Sequence, residues 1–405
     1  MAETTLPAGA PLEPAALALL RARVATRLLD VGIRSLVPVV LALVAGGLLL
    51  AALGRNPFTF YGHVWDYGVA QDNWQQSAVS MVPLLLIAVG LTVIFRANIW
   101  NLGYNGQFAL GAALVAGYGP TLVDRLPLWF AFVLLALLAA AVGAAWTLVP
   151  ALLKAWYGTN EIITTLMMSF VGVDLADYLI KGPFQDPSIR TPQTRAIAFD
   201  KLLPPIPGTS IDVSLLVAFA AVLVVHYVLT RTAFGLRLHV LGANPRAARH
   251  MGIDLPRLTV SSFLISGALI GGAAAAYVLS PFWGYVRADQ IPTYGDSIIP
   301  FVFLARLNAL AVVPFVAFYA ILSTGGDFAA SQENLPTDFL LVLVGLILLF
   351  MTVIEYLGRR RELGSSYLPA GLVQALRATR RPAPKPALDE RAVAASGVDA
   401  DEGRA

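Results

Sequence analysis

The 405-residue chain is 57% hydrophobic and only 13% charged, with a formal net charge of +3 and a mean hydropathy of +0.71. Soluble globular domains carry roughly 25% charged residues, so this composition excludes that class and indicates a protein embedded in a lipid bilayer. The absence of cysteine excludes disulfide frameworks, thiolate metal sites and cysteine nucleophiles. The four histidines are scattered without metal-ligand spacing, so we expect no metal site.

Apolar runs long enough to span a bilayer recur along the whole chain. A helix needs about 20 apolar residues to cross the hydrocarbon core. The pattern predicts an all-α, polytopic membrane helix bundle of about ten membrane segments: 35–53, 78–95, 102–123, 127–150, 160–180, 213–229, 259–280, 296–305, 309–325 and 337–357. The segment 296–305 is too short to cross unaided, so we expect one or more short or broken helices.

The runs also divide the chain into three parts. Residues 1–34 form a predicted N-terminal segment, and residues 35–357 form a predicted transmembrane domain. Residues 358–405 are rich in proline, alanine and charge toward their end, which predicts a largely disordered tail.

The distribution of lysine and arginine predicts the orientation. With the N-terminus inside, the inner segments hold 21 of the 28 basic residues, and cytoplasmic loops are the ones enriched in Lys and Arg. We therefore expect both termini to be cytoplasmic. The outer loop 181–212 departs from this bias with four basic residues, and its six prolines predict an irregular cap.

The longest inner loop reads "TRTAFGLRLHVLGANPRAARHMGIDLPRL" and spans residues 230–258. Asn244 directly before Pro245 is typical of a helix start, because asparagine caps helices and proline is tolerated in the first turn. We therefore expect one or two short helices on the cytoplasmic face. Such a loop is either an amphipathic surface segment attracted to anionic lipids or a docking site for a cytoplasmic partner.

A polar stretch, "NIWNLGYNGQ", interrupts the apolar pattern at residues 98–107. Asn98, Asn101 and Asn105 are spaced i, i+3, i+7 and share one face if the helix is continuous. Amide side chains donate and accept hydrogen bonds, which suits a neutral hydroxylated ligand. Glycines in this stretch could break the helix, as transporter helices break at binding sites. Alternatively, the asparagines cap the cytoplasmic end of the next segment.

The stretch "YGTNEIITTLMMSF" begins another predicted helix. Thr159 and Asn160 can cap it, and Glu161 is favoured in its first turn by the positive helix end. Capping explains all three residues, and a role in gating or substrate passage is the alternative.

Several of these stretches resemble one family, the permease subunits of binding-protein-dependent ABC importers. "TAFGLRLHVLGANPRAARHMGI", "YGTNEIITTLMMSF" and "NLGYNGQFALGA" are similar to motifs of its simple-sugar and nucleoside branch, a ribose and branched-chain amino acid permease-like group. "FLARLNALAVVPF" is a weaker match. The third motif usually reads Asn-Ile-Gly-x-Glu-Gly-Gln, and Asn105 stands here where relatives often carry an acidic residue.

The resemblance implies roles for two sets of residues. Loop 230–258 would fit a cleft of a separate ATP-hydrolysing subunit through Phe234, Gly235, Arg237, Gly242, Asn244, Pro245, Ala247 and Ala248. The substrate path would include Asn98, Asn101, Asn105, Gln107, Asn160 and Glu161.

The resemblance also implies partners and location. A P-loop needs Gly-Lys-Ser/Thr, and none of the four lysines follows a glycine, so ATP would be bound by a partner ATPase. The chain itself would be a transport subunit that holds no cofactor and performs no catalysis. It would lie in the cell membrane with a second permease subunit, identical or related, and an extracytoplasmic solute-binding protein, and we expect no nucleic-acid partner. The substrate would be a nucleoside or a simple sugar.

Two other classes of function were weighed against this one. An ion-coupled secondary transporter would use Asp174, Asp177 or Glu161 as its proton or sodium site, and it predicts carboxylates near the middle of the membrane. These three lie toward the ends of predicted helices instead. An intramembrane enzyme lacks support, because the sequence contains no GxSxG and no paired metal-ligand motif.

Overall fold

The computed structural model describes residues 36–336 and 339–362, with the side chains of 358–362 left out. Within those ranges the secondary structure is α-helical apart from one 3-10 turn, Phe199–Lys201, and isolated β-bridges in the loops. The helices are α1 (Leu36–Ala52), α2 (Pro57–Gly68), α3 (Asn73–Arg96), α4 (Tyr104–Arg125), α5 (Leu128–Trp146), α6 (Leu148–Tyr157), α7 (Glu161–Lys181), α8 (Ser214–Arg231), α9 (Ala233–Ala243), α10 (Pro245–His250), α11 (Leu255–Leu279), α12 (Tyr294–Leu304), α13 (Val312–Gln332) and α14 (Phe339–Glu362).

The all-α prediction is confirmed, and each of the ten predicted segments falls on a helix. Among the described residues, seven helical stretches are long and apolar enough to cross a membrane: Asn73–Arg96, Leu128–Tyr157, Glu161–Lys181, Ser214–Arg231, Leu255–Leu279, Val312–Gln332 and Phe339–Leu357. Helix α12 has only 11 residues, which agrees with the expected short segment. Helix α2 was not predicted, because His63 and Asp66 interrupt its apolar residues.

The predicted termini fall largely outside the described residues. The predicted N-terminal segment 1–34 lies outside them, as does the predicted tail beyond Glu362. Helix α14 continues to Glu362, five residues past the predicted end of the transmembrane domain at 357.

Helices α3 and α11 form the centre of the bundle. In its most apolar 18-residue window α3 is 89% buried and α11 is 67% buried, against 22% for the window in α7. A helix that is hydrophobic on all sides is one that is buried on all sides. The peripheral helices therefore expose one apolar face each, as expected for contact with lipid.

Small residues bring α5 and α11 into backbone contact. A Cβ atom built on Gly271 would lie 2.8 Å from the carbonyl carbon of Ala139 and closer still to its oxygen. A Cβ atom on Gly267 would likewise approach the carbonyl of Gly143. Membrane helices associate through such small residues because lipid supplies no hydrophobic drive between them. This contact fixes the peripheral α5 against the central α11.

The loop between α7 and α8, which the charge distribution predicts to be outer, is irregular, as its prolines predict. Its fully buried Asp212 accepts hydrogen bonds from the Ser280 hydroxyl at 2.9 Å and from the Ser214 amide at 2.9 Å. Lys201 in the same loop lies 2.6 Å from Asp124 at the end of α4. These contacts tie the loop to three different helix ends and make it an ordered cap.

Candidate functional site

Loop 230–258 folds into two short helices, α9 and α10, as predicted. The Thr232 hydroxyl accepts a hydrogen bond from the Gly235 amide at 3.4 Å and starts α9. The Asn244 side chain accepts hydrogen bonds from Arg246 N at 3.0 Å and Ala247 N at 3.2 Å, which starts α10. Pro245 is the first residue of α10, so the Asn-Pro pair caps the helix as expected.

One face of this helix pair is anchored to the rest of the chain. Leu238 and Ala248 are fully buried. A Cβ atom on Gly242 would lie 3.1 Å from the carbonyl carbon of Ala97 and closer to the carbonyl oxygen of Arg96. Gly242 therefore lets α9 pack directly against the end of α3, and bulk at this position would displace backbone rather than only alter the surface.

The other face of the pair is open. Of the eight predicted coupling residues, Arg237, Asn244 and Pro245 are exposed, Phe234, Gly242 and Ala247 are partly exposed, and Gly235 and Ala248 are buried. Leu236 and Met251 are also exposed, at 64% and 67%. The structure thus brings the predicted residues into one unit, in which buried members anchor the helices and exposed members form a surface. Their contact with an ATPase remains a prediction.

Beside the contact at Gly242, a cleft of about 520 Å³ is lined by residues of this unit and by the ends of α3 and α6. Asn98, a predicted path residue, lines this cleft together with Pro245 and Lys154. Asn98 adopts a left-handed backbone with φ of 56° directly after α3, a conformation that asparagine tolerates better than most residues.

Asn101 and Gln107 form a closed pair inside the bundle, at 0% and 1% exposure. Gln107 Nε2 donates to Asn101 Oδ1 at 2.9 Å, and Asn101 Nδ2 donates to Gln107 Oε1 at 3.2 Å. Asn101 Nδ2 also donates to the Ser266 hydroxyl at 3.2 Å, and Asn101 Oδ1 accepts from Gly103 N at 3.1 Å. Because these amides satisfy one another, they brace α4 against α11 in this state.

The three asparagines do not share one helical face, because the helix is not continuous through this stretch. Helix α3 ends at Arg96 and α4 begins at Tyr104, so Asn98 and Asn101 lie in a non-helical connection. The physical reason is that the Asn101 side chain bonds the backbone amide of Gly103, and such local bonds compete with helix continuation.

Asn105 faces a carboxylate that the sequence analysis missed. Asn105 Nδ2 donates to Asp296 Oδ2 at 2.8 Å, and the Tyr104 hydroxyl donates to Asp296 Oδ1 at 2.7 Å. Asp296 lies in the first turn of the short helix α12 and is exposed. An acidic residue inside an apolar segment is itself a signal of function, and that signal was available in "YGDSIIPF".

Two independent contacts give the distance of the Tyr104, Asn105 and Asp296 cluster from the helix ends. Gly106 N bonds the Ser169 hydroxyl, eight residues into α7, which places it about 12 Å from the start of that helix at 1.5 Å per residue. Phe303 stacks on Phe95 at the end of α3, with ring centroids 5.2 Å apart. Asp296 is seven residues before Phe303, or about 10 Å away. With α3 and α7 spanning a hydrocarbon core about 30 Å thick from end to end, both distances place the cluster inside that core.

The remaining predicted residues are engaged at helix ends. The Asn160 side chain accepts from Ile162 N at 3.0 Å and caps α7. Glu161, only 9% exposed, lies 2.7 Å from Lys154 in α6. Asp177 accepts from Asp289 N at 3.0 Å and lies 3.9 Å from Lys181. Two of the three carboxylates considered for ion coupling, Glu161 and Asp177, are thus held in contacts near helix ends, whereas Asp174 is exposed.

Comparisons with known proteins identify the class to which this architecture belongs. Residues 73–352 match the family described as the permease component of the branched-chain amino acid transport system. A glucose ABC transporter permease of Haloferax volcanii is 32% identical over 337 residues, covering 80% of this chain and 87% of the relative. No solved structure matches the chain.

Two further relatives are named for nucleosides. The guanosine ABC transporter permease of Bacillus subtilis is 24% identical over 320 residues, covering 78% of this chain and 91% of the relative. A nucleoside ABC transporter permease of Lactococcus lactis subsp. cremoris is 22% identical over 328 residues, covering 78% of this chain and 90% of the relative.

The family match, the relatives and the seven apolar helices of the described residues all indicate a membrane permease. The protein is a multi-pass protein of the plasma membrane and a transport subunit rather than an enzyme, and permeases of this family work with ATPase and solute-binding partners. The chain belongs to the family of permease components of the branched-chain amino acid transport system and is the membrane permease subunit of an ABC importer.

Proposed function

We propose that this permease passes nucleosides or simple sugars inward and is driven by a separate ATPase docked on the α9–α10 surface. A second permease subunit completes the path, and an extracytoplasmic solute-binding protein delivers the solute. Relatives named for glucose, guanosine and nucleosides support this solute class. Nucleosides and simple sugars share uncharged rings with several hydroxyl groups, which amide and carboxylate side chains can bind.

The observation that carries the proposal is the division of α9–α10 into two faces. Buried Leu238 and Ala248 and the close packing of Gly242 hold the unit rigidly on the bundle. Leu236 and Arg237 project outward from it. A rigid element with a mixed apolar and cationic exposed face suits transmission of a partner's motion, because the surface cannot move without moving the helices beneath it.

The docking assignment is tested with the full-length chain, tagged at its carboxyl terminus and purified in mild detergent. We expect a P-loop ATPase to accompany it, identified by mass spectrometry. Arg237→Glu inverts an exposed charge without touching the buried face, so we expect it to reduce ATPase recovery while the permease stays folded. Arg237→Lys keeps the charge and should retain the partner.

Arg257→Glu is the matched control, since it makes the same charge inversion at a 90% exposed cation on the same side but outside the two helices. If Arg237→Glu and Arg257→Glu recover the ATPase equally well, the α9–α10 surface is not the docking site.

The solute is tested by ATP-dependent uptake of guanosine and of glucose into proteoliposomes that hold the purified complex and its binding protein. Saturable uptake of one, blocked by an excess of the same unlabelled solute, assigns the substrate. Absence of ATP-dependent uptake of both would reject guanosine and glucose as solutes while leaving the permease family intact.

The surroundings of the six predicted path residues support different roles. Asn105 and Asn98 are open to space and are proposed to meet solute. Asn101 and Gln107 are proposed to shape the path through their mutual bonds rather than to contact solute directly. Asn160 and Glu161 are proposed to position the start of α7 at the cytoplasmic mouth.

A further inference from the structure

We propose that the Asp296 carboxylate is the selectivity-determining group of the translocation path, where it binds hydroxyl or amine donors and excludes anionic solutes. This inference rests on the proposed function for the identity of the solute and deepens it by naming the group that selects it. The juxtaposition that carries it is one exposed carboxylate on α12 held by two donors on α4.

The first support is cost. An aspartate near the centre of a membrane costs about 2.5–3.5 kcal/mol on insertion scales, so it is retained there only with polar partners or beside water. The Asp296 carboxylate has two partners, Tyr104 and Asn105, and the residue remains exposed. An exposed ionisable group at this depth belongs on a water-filled surface, because contact with lipid would leave the full cost uncompensated.

The second support is that the cluster is built into the packing. Tyr104 is only 5% exposed, and its ring lies where a side chain on residue 295 would stand. A Cβ atom on Gly295 would be 2.5 Å from Tyr104 Cγ. The glycine before Asp296 thus admits the ring whose hydroxyl orients the carboxylate. Asn105 fixes the other oxygen from the same turn of α4.

The third support is the bonding capacity that remains. A carboxylate accepts about four hydrogen bonds, and Tyr104 and Asn105 occupy one on each oxygen. One acceptor position is therefore left on each oxygen of Asp296. Two parallel acceptors suit two neighbouring hydroxyl groups, as on a ribose or hexose ring. The same negative charge repels a phosphorylated sugar or a nucleotide.

The contact between Asn105 and Asp296 allows the negative charge to be moved from residue 296 to residue 105. Their side-chain atoms are 2.8 Å apart, so an exchange of the two residue types keeps one carboxylate and one amide in nearly the same place. Asp296→Asn alone removes the charge, and Asn105→Asp alone places two carboxylates face to face. The double exchange Asn105→Asp with Asp296→Asn restores one charge and is the informative variant.

The transport experiment uses the purified complex in proteoliposomes and measures ATP-dependent uptake of labelled guanosine and glucose. We expect Asp296→Asn and Asn105→Asp each to lower uptake of the transported solute about tenfold, equivalent to about 1.4 kcal/mol, with ATPase recovery unchanged. The double exchange should recover most of that loss. Full uptake by Asp296→Asn, or a double exchange no better than either single variant, would overturn the proposal.

A second experiment does not depend on the solute. The chain contains no cysteine, so Asn105→Cys creates a single thiol beside Asp296. Its modification rate is compared for a cationic and an anionic methanethiosulfonate reagent, with Asp296 intact and with Asp296→Asn. Phe199→Cys, in the exposed outer loop, gives the intrinsic ratio of the two reagents.

We expect the cationic reagent to be favoured about tenfold over that intrinsic ratio when Asp296 is present, equivalent to about 1.4 kcal/mol. The preference should vanish in Asp296→Asn. A thiol that reacts with neither reagent, or a ratio that Asp296→Asn leaves unchanged, contradicts the proposal even where no solute is transported. Absence of guanosine and glucose uptake together with a normal charge preference would instead reject only the proposed solutes.

Discussion

Two neighbouring glycines of α11 provide a direct test of the packing at the centre of the bundle. In Gly271→Ala the new Cβ atom would lie 2.8 Å from the carbonyl carbon of Ala139, whereas ordinary contact begins at 3.4 Å. The atoms that obstruct it are backbone, so α5 and α11 must separate by at least about 0.6 Å. Overpacking of this kind costs about 1–3 kcal/mol or more. In Gly272→Ala nothing lies within 4 Å of the new atom.

Gly272→Ala should instead gain up to about 1 kcal/mol, because alanine favours a helix over glycine by that amount. The same gain applies to Gly271→Ala, so the two variants, one residue apart and with the same chemical change, should differ by the overpacking cost of about 1–3 kcal/mol or more. Thermal unfolding of the detergent-purified chain, followed by tryptophan fluorescence, measures the difference. If Gly271→Ala is as stable as Gly272→Ala, the described contact between α5 and α11 is wrong.

Two further predictions concern the polar contacts. Asn101→Leu should destabilise the chain by about 2 kcal/mol, since it removes four hydrogen bonds that average about 0.6 kcal/mol each in membrane proteins, and Gln107→Leu by about 1 kcal/mol for two bonds. In the same unfolding assay the double variant should lose less than the sum, and strict additivity would refute the pair. Hydrogen bonding from Lys181 holds the pKa of Asp289 below its usual value. The contact therefore stabilises the loop around Asp289 at pH values above the ordinary aspartate pKa of about 3.9. Hydrogen exchange of the 284–293 amides should accelerate, after correction for intrinsic rate, only as pH falls through the lowered pKa; in Asp289→Asn it should already be fast at neutral pH.

The sequence predicts the positions of the helices well and the contacts between them poorly. Apolar runs of fixed length give the ten segments, because the bilayer imposes that length, and Asn244 with Pro245 gives the start of α10, because capping is a local interaction. The helix break was expected at the glycines of 98–107 and lies just before Tyr104, but the Asn101 side-chain bonds that accompany it were not predicted.

The contacts in the candidate site could not be predicted from the sequence. Asp296 and Asn105 are 191 residues apart in the chain and 2.8 Å apart in space, and a pattern within one segment carries no information about that pairing. Gly242 was predicted to belong to a partner surface, which stays a prediction, and it also packs against the backbone of Arg96 within the chain. A motif found by resemblance does not distinguish a residue that contacts a partner from one that holds its neighbours in place.

The most direct measurement of the central claim is site-specific photo-crosslinking in intact membranes. A photoreactive amino acid at Leu236, 64% exposed on α9, is compared with one at Tyr178, 69% exposed near the end of α7 opposite to Lys154. Docking of the ATPase on α9–α10 predicts an adduct with a P-loop ATPase from position 236 and none from position 178. An ATPase adduct from position 178, or none from 236 while the complex remains intact, would contradict the proposed coupling surface.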